Sequence, residues 1–258
     1  MKVYVLKRGR WAAVGCLVIA AAMFWVVSHP EAVGAAATER ELPVYYVQSE
    51  EKKVALSFDA AWGNEDTEQL ISILDEAGIH ATFFLVGDWV ERYPESVQQL
   101  YDAGEELGNH SDTHPYMTQC NQETMLEELN RCNEKITAIT GECPAVFRCP
   151  YGDYDNTVIS TIRSVGMEAV QWNVDSLDWK GISASEITSN VLNKVVPGSI
   201  ILFHNAADHT PEALPGIIAS LQEQGYTFCT VSELLAEGEE NGYTIAHDGM
   251  MVPNTAAS

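Results

Sequence analysis

Five separate strand-like segments of this chain each run into an ionisable side chain. Asp59 follows "VALSF", His110 follows "ELGN", Arg148 follows "AVF", Asp175 and Asp178 follow "QWNV", and His204 follows "IILF". Carboxylates and imidazoles are the groups that move protons near neutral pH. A second histidine, His114, stands four residues after His110 in "HSDTH". On one helical turn that spacing brings two imidazoles to one side, ready for a divalent ion. Asp112 and Thr113 between them are also good helix-start residues, so the pair by itself says little. Its weight comes from the four other segments that end in the same way.

Those segments read as strands. "VALSF", residues 81–87, "ELGNH", 145–148, 167–174 and 199–204 are short apolar runs rich in β-branched and aromatic residues. Between them, 67–77, 89–103, 125–139, 155–165 and 184–194 carry apolar residues at three- and four-residue steps, as helices do. Helices over 211–224 and 231–237 flank "YTFCT". This alternation predicts an α/β fold: a parallel sheet of six or seven units covered by helices, either a barrel or doubly wound. In both architectures the C-terminal ends of the strands meet at one mouth, where sites are built.

Around that core the chain divides into a hydrophobic leader (1–38), a linker (39–51), one domain (52–237) and a polar tail (238–258). Lys2, Lys7, Arg8 and Arg10 precede 17 uncharged, mostly apolar residues, 11–27. That is a signal-anchor or a cleaved secretion signal, with "GAAA" at 34–37 as a candidate cleavage site. In both cases the rest works outside the cytoplasm, membrane-anchored or secreted. Beyond residue 38 there are 10 basic and 36 acidic residues, a net charge of −26. Such a surface repels nucleic acid and is a poor binder of anionic wall polymers; a neutral or basic polymer suits it better. Cys16 lies in the leader, and Cys120, Cys132, Cys143, Cys149 and Cys229 form no C-x-x-C motif. Cys120–Cys132 and Cys143–Cys149 are candidate pairs, with free thiols the better reading. No H-E-x-x-H occurs, which argues against a zinc peptidase.

Taken in order, "SFDAAWG", "HSDTH", "RCPYGDYD", "DSLDW" and "LFHN" resemble the five motifs of the polysaccharide deacetylases, the NodB-homology enzymes of carbohydrate esterase family 4. The "FD..WG" opening is closest to the membrane-anchored members of spore-forming Gram-positive bacteria. The resemblance spans about residues 51–236 and implies a distorted (β/α) barrel with fewer than eight strands. It implies removal of N-acetyl groups from an amino-sugar polymer of the cell or spore wall by a monomeric enzyme. The cofactor implied is a divalent metal of the zinc type, with cobalt as the other candidate. Asp59 matches the general base, Arg148 the cation that holds it, His204 the general acid and Asp178 the carboxylate that orients it. His110 and His114 match metal ligands, with Ser111 supporting their loop. Tyr151 matches the residue whose backbone N–H faces the developing oxyanion. Trp179 and Leu202 match the apolar walls around the acetyl group.

One position departs from the pattern. The family has two adjacent aspartates in its first motif, the second being a metal ligand, and here the second position is Ala60. An oxygen from Asp66, Glu65 or Asn64 in "GNED", or water, is one substitute; the same residues serve equally well to cap the helix that follows. The other readings are a weakly held metal with slow turnover, and a cleft that only binds glycan. Cys149, where the family commonly has proline, is a milder departure.

Overall fold

The computed structural model describes residues 40–239 and 242–254. The hydrophobic leader lies outside them, and no helix among the described residues is long and apolar enough to cross a membrane.

The first elements are β1 (Tyr46–Val47), β2 (Lys53–Ala60), α1 (Thr67–Ala77), β3 (Thr82–Leu85), α2 (Gly87–Arg92), α3 (Pro94–Asp102) and β4 (Glu106–Asn109). There follow α4 (Gln122–Thr140), β5 (Val146–Arg148), α5 (Asn156–Ser164), β6 (Glu168–Val170), β7 (Val174–Asp175), α6 (Ala184–Leu192) and β8 (Ile200–His204). The chain ends with α7 (Thr210–Glu223), β9 (Thr227–Cys229), α8 (Val231–Glu239), β10 (Tyr243–Ile245) and β11 (Met250–Pro253). One parallel sheet runs β6-β5-β4-β3-β2-β8-β7, with β9 pairing off this path to the start of β2. Curled and clad in helices, it is the distorted barrel the motifs implied, with eight strands in the sheet where fewer were expected, because the short β9 joins at the start of β2.

β2 shows why the sheet forms as it does. Its residues alternate: Val54, Leu56, Phe58 and Ala60 pack with helix residues such as Leu70, Leu74 and Leu214. Ala55, Ser57 and Asp59 take the opposite face, where Ala55 joins Phe84, Val146 and Val170. Phe58 stacks on Phe83 at 4.7 Å, and burying such side chains contributes about 1.5–3 kcal/mol each. The apolar strand therefore has one face in the helix layer and one in the barrel, and the polar residues of the latter are committed to the site.

Three local expectations change. Residues 89–103 form two helices, because Pro94 disfavours helical backbone at Tyr93, which sits at φ −131°, ψ 54°. Residues 167–174 supply two strands at opposite ends of the sheet path. The link between them is tied by Gln171 N–H to the Val44 carbonyl and by Asn173 to both Ile200 and Ser199. The gap is bridged by residues from the supposed linker, Val44 pairing with Val170 and Tyr46 with Ser199. Tail residues 243–253 are strands as well: β11 pairs parallel to β1 and buries Met251.

Candidate active site

Sheet register brings the chemistry together. Asp59 on β2 lies beside His204 on β8, Cα partners in adjacent strands. Asn109 on β4 pairs with Phe147 on β5, so the next residues, His110 and Arg148, are neighbours too. His110, His114, Tyr151, Trp179, Leu202 and His204 line one cleft of about 420 Å³ with Asp59 at its floor. Arg148 and Asp178 stand behind it, buried.

Arg148 is fully enclosed. Its Nη1 donates to Asp59 Oδ1 at 2.7 Å, and Nη2 donates to Ser57 Oγ at 2.8 Å and the Gln171 carbonyl at 3.1 Å. The guanidinium also lies 4.1 Å from the Phe84 ring centroid. Burial pushes the Asp59 carboxyl up, but His110, Arg148 and His204 together outweigh it and hold it below the usual carboxylate range.

His204 has a matching partner. Asp178 accepts from its Nδ1 at 2.8 Å and its backbone N–H at 2.8 Å, and from Thr210 Oγ1 at 2.7 Å. Burial disfavours the imidazolium, yet the Asp178 hydrogen bond and the Asp59 and Asp178 charges more than offset it, raising the pKa above the ordinary histidine value. The site thus holds an ionised carboxylate and a proton-retaining imidazole on adjacent strands, with one buried counter-charge each.

The two other histidines are pushed toward the neutral form. Burial lowers both, and the neighbouring His110 helps bring His114 to about 4. His110 Nδ1 lies 2.8 Å from the Arg148 carbonyl. A carbonyl only accepts, so Nδ1 carries the proton and Nε2 presents a lone pair. That lone pair faces His114 Nε2 at 3.2 Å and Asp59 Oδ2 at 3.4 Å. Two nitrogens bound to one zinc-type ion at about 2.05 Å in tetrahedral geometry stand roughly 3.3 Å apart. The histidine pair fits such an ion. The loop that carries it is not a helical turn: Ser111 and His114 adopt φ of 66° and 61°. Glu128 on α4 fixes it, accepting from the N–H groups of Asp112 and Thr113, while Ser111 Oγ accepts from His114 N–H.

A third protein ligand does not join them. Among the described residues, no three His, Cys, Asp or Glu side chains are grouped to hold a metal. Ala60 packs on the helix side of β2, 1% exposed. Asp66 is not in the cleft: its Oδ2 accepts from Ala206 N–H at 2.8 Å and its Oδ1 is buried without a partner. It does not cap α1 with its side chain either, so neither expectation for "GNED" describes it. Asn64 is turned away to Ser96. The five cysteines of the described residues are free thiols.

Other contributors carry no signal in single-residue patterns. Ser57 and Gln171 hold Arg148 from distant strands, and Trp62 closes over His204 with ring centroids 5.9 Å apart. Only the periodicity of β2, which places Ser57 on the same face as Asp59, pointed to the first. Backbone strain also concentrates here. The described non-glycine residues with positive φ are Ser111, His114, Tyr151, Leu177 and Ala206, all in loops that carry the site.

A family model described as polysaccharide deacetylase matches residues 46–170. The uncharacterized protein YlxY of Bacillus subtilis is 35% identical over 76% of this chain and 61% of its own length. The peptidoglycan-N-acetylglucosamine deacetylase of Bacillus cereus is 32% identical over 73% of this chain and 70% of its own. Among solved structures, a CE4 family pseudoenzyme from Bacillus anthracis superposes with a TM-score of 0.73 at 35% identity, covering 75% of this chain and 68% of that one. A mutant of that pseudoenzyme has restored enzymatic activity.

Proposed function

The chain belongs to the polysaccharide deacetylase family, and from that premise we propose that it removes N-acetyl groups from an amino-sugar polymer of the cell wall. The observation that carries the reading is the register pairing of Asp59 with His204, each hydrogen-bonded to its own buried partner.

In this reading Asp59 Oδ2, the oxygen not tied to Arg148, takes the proton of the attacking water. Amide hydrolysis also needs a proton delivered to nitrogen, because an amide anion does not leave. His204 delivers it: Nδ1 is held by Asp178, so Nε2–H is the free donor, on the same wall as Asp59. Tyr151, in a left-handed turn at φ 59°, offers its N–H to the oxyanion, and Leu202 and Trp179 confine the acetyl methyl. His110 and His114 would hold a divalent ion of the zinc or cobalt type. Such an ion polarises the carbonyl and acidifies water at neutral pH.

The acidic surface and the apolar leader support action outside the cytoplasm on a wall polymer carrying little negative charge. Whether that wall belongs to a spore or a growing cell, the chemistry is the same. A second reading, a glycan-binding protein without turnover, is favoured by Ala60 and by the likeness to a pseudoenzyme.

Acetate release separates the two. The full-length chain is incubated with chitin oligomers and peptidoglycan fragments in zinc, in cobalt and in EDTA. Acetate appears with metal and not in EDTA if it is a deacetylase. Binding with no acetate under any condition overturns that and leaves the second reading.

A further inference from the structure

Exposed apolar side chains in this protein are not scattered. Among the described residues the large ones that stand open to solvent are Trp62, Tyr116, Tyr151, Trp179 and Val196. The four aromatics, between 48% and 59% exposed, all belong to the rim of the cleft. Open aromatic faces that converge on one mouth mark a surface built to be covered.

They form two platforms. On the His204 side, Trp62 and Trp179 line the cleft and also a second cavity of about 230 Å³ that shares His204 with it. On the His114 side, Tyr116 stacks on Tyr151, centroids 4.2 Å apart and planes within 16°. Tyr151 in turn meets the His114 ring edge-on at 4.6 Å.

Trp62 is held rather than loose. The Asn205 side chain accepts from Ala61 N–H at 3.2 Å and donates to the Gly63 carbonyl, so it grips the backbone on both sides of the tryptophan. Trp89 Nε1 donates to the same carbonyl at 2.9 Å. Asp66, which holds Ala206 at φ 53°, pins this loop to the one that follows His204. A ring carried on backbone fixed this way has less freedom to lose when a ligand covers it.

We propose that Trp62 and the Tyr116–Tyr151 stack are platforms for the sugars before and after the reacting residue, with Asn205 the positioning residue that sets Trp62. The ligand class is an uncharged or amino-bearing pyranose chain, whose C–H faces lie on the rings, bound at an internal unit. This rests on the polysaccharide reading above, and it adds which side chains seat the sugars on either side of the reacting one.

The test reads binding and turnover separately. The full-length chain and its Trp62→Ala, Tyr116→Ala and Asn205→Ala variants are titrated calorimetrically with N-acetylglucosamine tetramer and monomer, each variant first checked for a wild-type melting curve. Aromatic contacts contribute about 0.5–1.5 kcal/mol each, so Trp62→Ala and Tyr116→Ala should each weaken the tetramer about twofold to twelvefold more than the monomer. Asn205→Ala should weaken the tetramer likewise and add nothing to Trp62→Ala in the double variant, since it acts through that ring. Tetramer affinity unmoved by Trp62→Ala and Tyr116→Ala overturns the platforms, and additive losses overturn the role of Asn205. Platform-dependent binding without acetate release would overturn the deacetylase reading alone. Acetate release indifferent to both aromatics would overturn the platforms alone.

Discussion

Arg148 Nη1 donates to Asp59 Oδ1 at 2.7 Å with both side chains buried, which leaves Oδ2 as the oxygen that faces His110 Nε2 at 3.4 Å. One carboxylate therefore has a tied oxygen and a working one. The tie fixes its direction, and the cation keeps it ionised in a place where burial alone would protonate it.

In the proposed reading Asp59 is the base, so its removal should remove turnover. Asp59→Asn keeps the shape and loses the proton acceptor, so kcat falls about 100- to 10,000-fold. Arg148→Gln tests the partner. It leaves a buried carboxylate without its cation, which destabilises the fold by about 3–5 kcal/mol in thermal or urea unfolding. It also raises the Asp59 pKa, moving the acid limb of the kcat/KM profile upward. In the wild type that pKa lies below its unfolded value, so the pair's stability is present above about pH 4 and is lost as pH falls through the folded pKa.

In the proposed reading the opposite limb belongs to His204. Its pKa is raised, so its protonated form contributes stability fully below about pH 6.5, lost as pH rises through the folded value. Activity that needs the proton falls over the same range. Asp178→Asn removes the hydrogen bond and charge that sustain the imidazolium, so the alkaline limb should move to lower pH, with kcat reduced about 100-fold or more. An unmoved limb would mean another group supplies the proton.

Glu128 should matter to a site it never touches. It accepts from Asp112 N–H at 2.9 Å and Thr113 N–H at 2.7 Å, across from the histidine pair. Glu128→Ala frees those donors and loosens the loop that sets His114. Zinc affinity measured by competition with a chelator should drop about 10- to 100-fold, as when other outer partners of metal ligands are lost.

Ala60→Asp places a carboxylate where the side chain is 1% exposed among apolar neighbours. In EDTA the melting point should fall, by the equivalent of about 1–3 kcal/mol for an unpaired buried polar group. That side chain faces the helix layer and not the cleft that His110 and His114 line, so zinc should not reverse the fall. Melting curves with and without zinc check both halves together.

Most strands were legible because they are short apolar runs such as "VALSF" and "IILF", and the site because those runs stop on an ionisable residue. Asp59, His110, Arg148, Asp178 and His204 could be assembled from position alone once the sheet was parallel. Asp66 could not be placed that way. Its partner is the Ala206 N–H in a left-handed turn 140 positions away, and no local pattern encodes such a contact. The split of 167–174 was hidden for a related reason. Its apolar residues are continuous, and what divides them is the set of hydrogen bonds that Gln171 and Asn173 make to Val44 and Ile200. Strands β10 and β11 were missed because a three-stranded sheet this short carries too few apolar residues to show a period.

In the proposed reading His110 and His114 turn two lone pairs toward one cation. Metal content is measured by elemental analysis of the full-length chain and its His110→Ala/His114→Ala variant after dialysis against zinc-buffered solution. About one zinc per wild-type chain and none in the variant are expected. A wild-type chain that emerges without zinc, or a variant that retains as much, would contradict that reading.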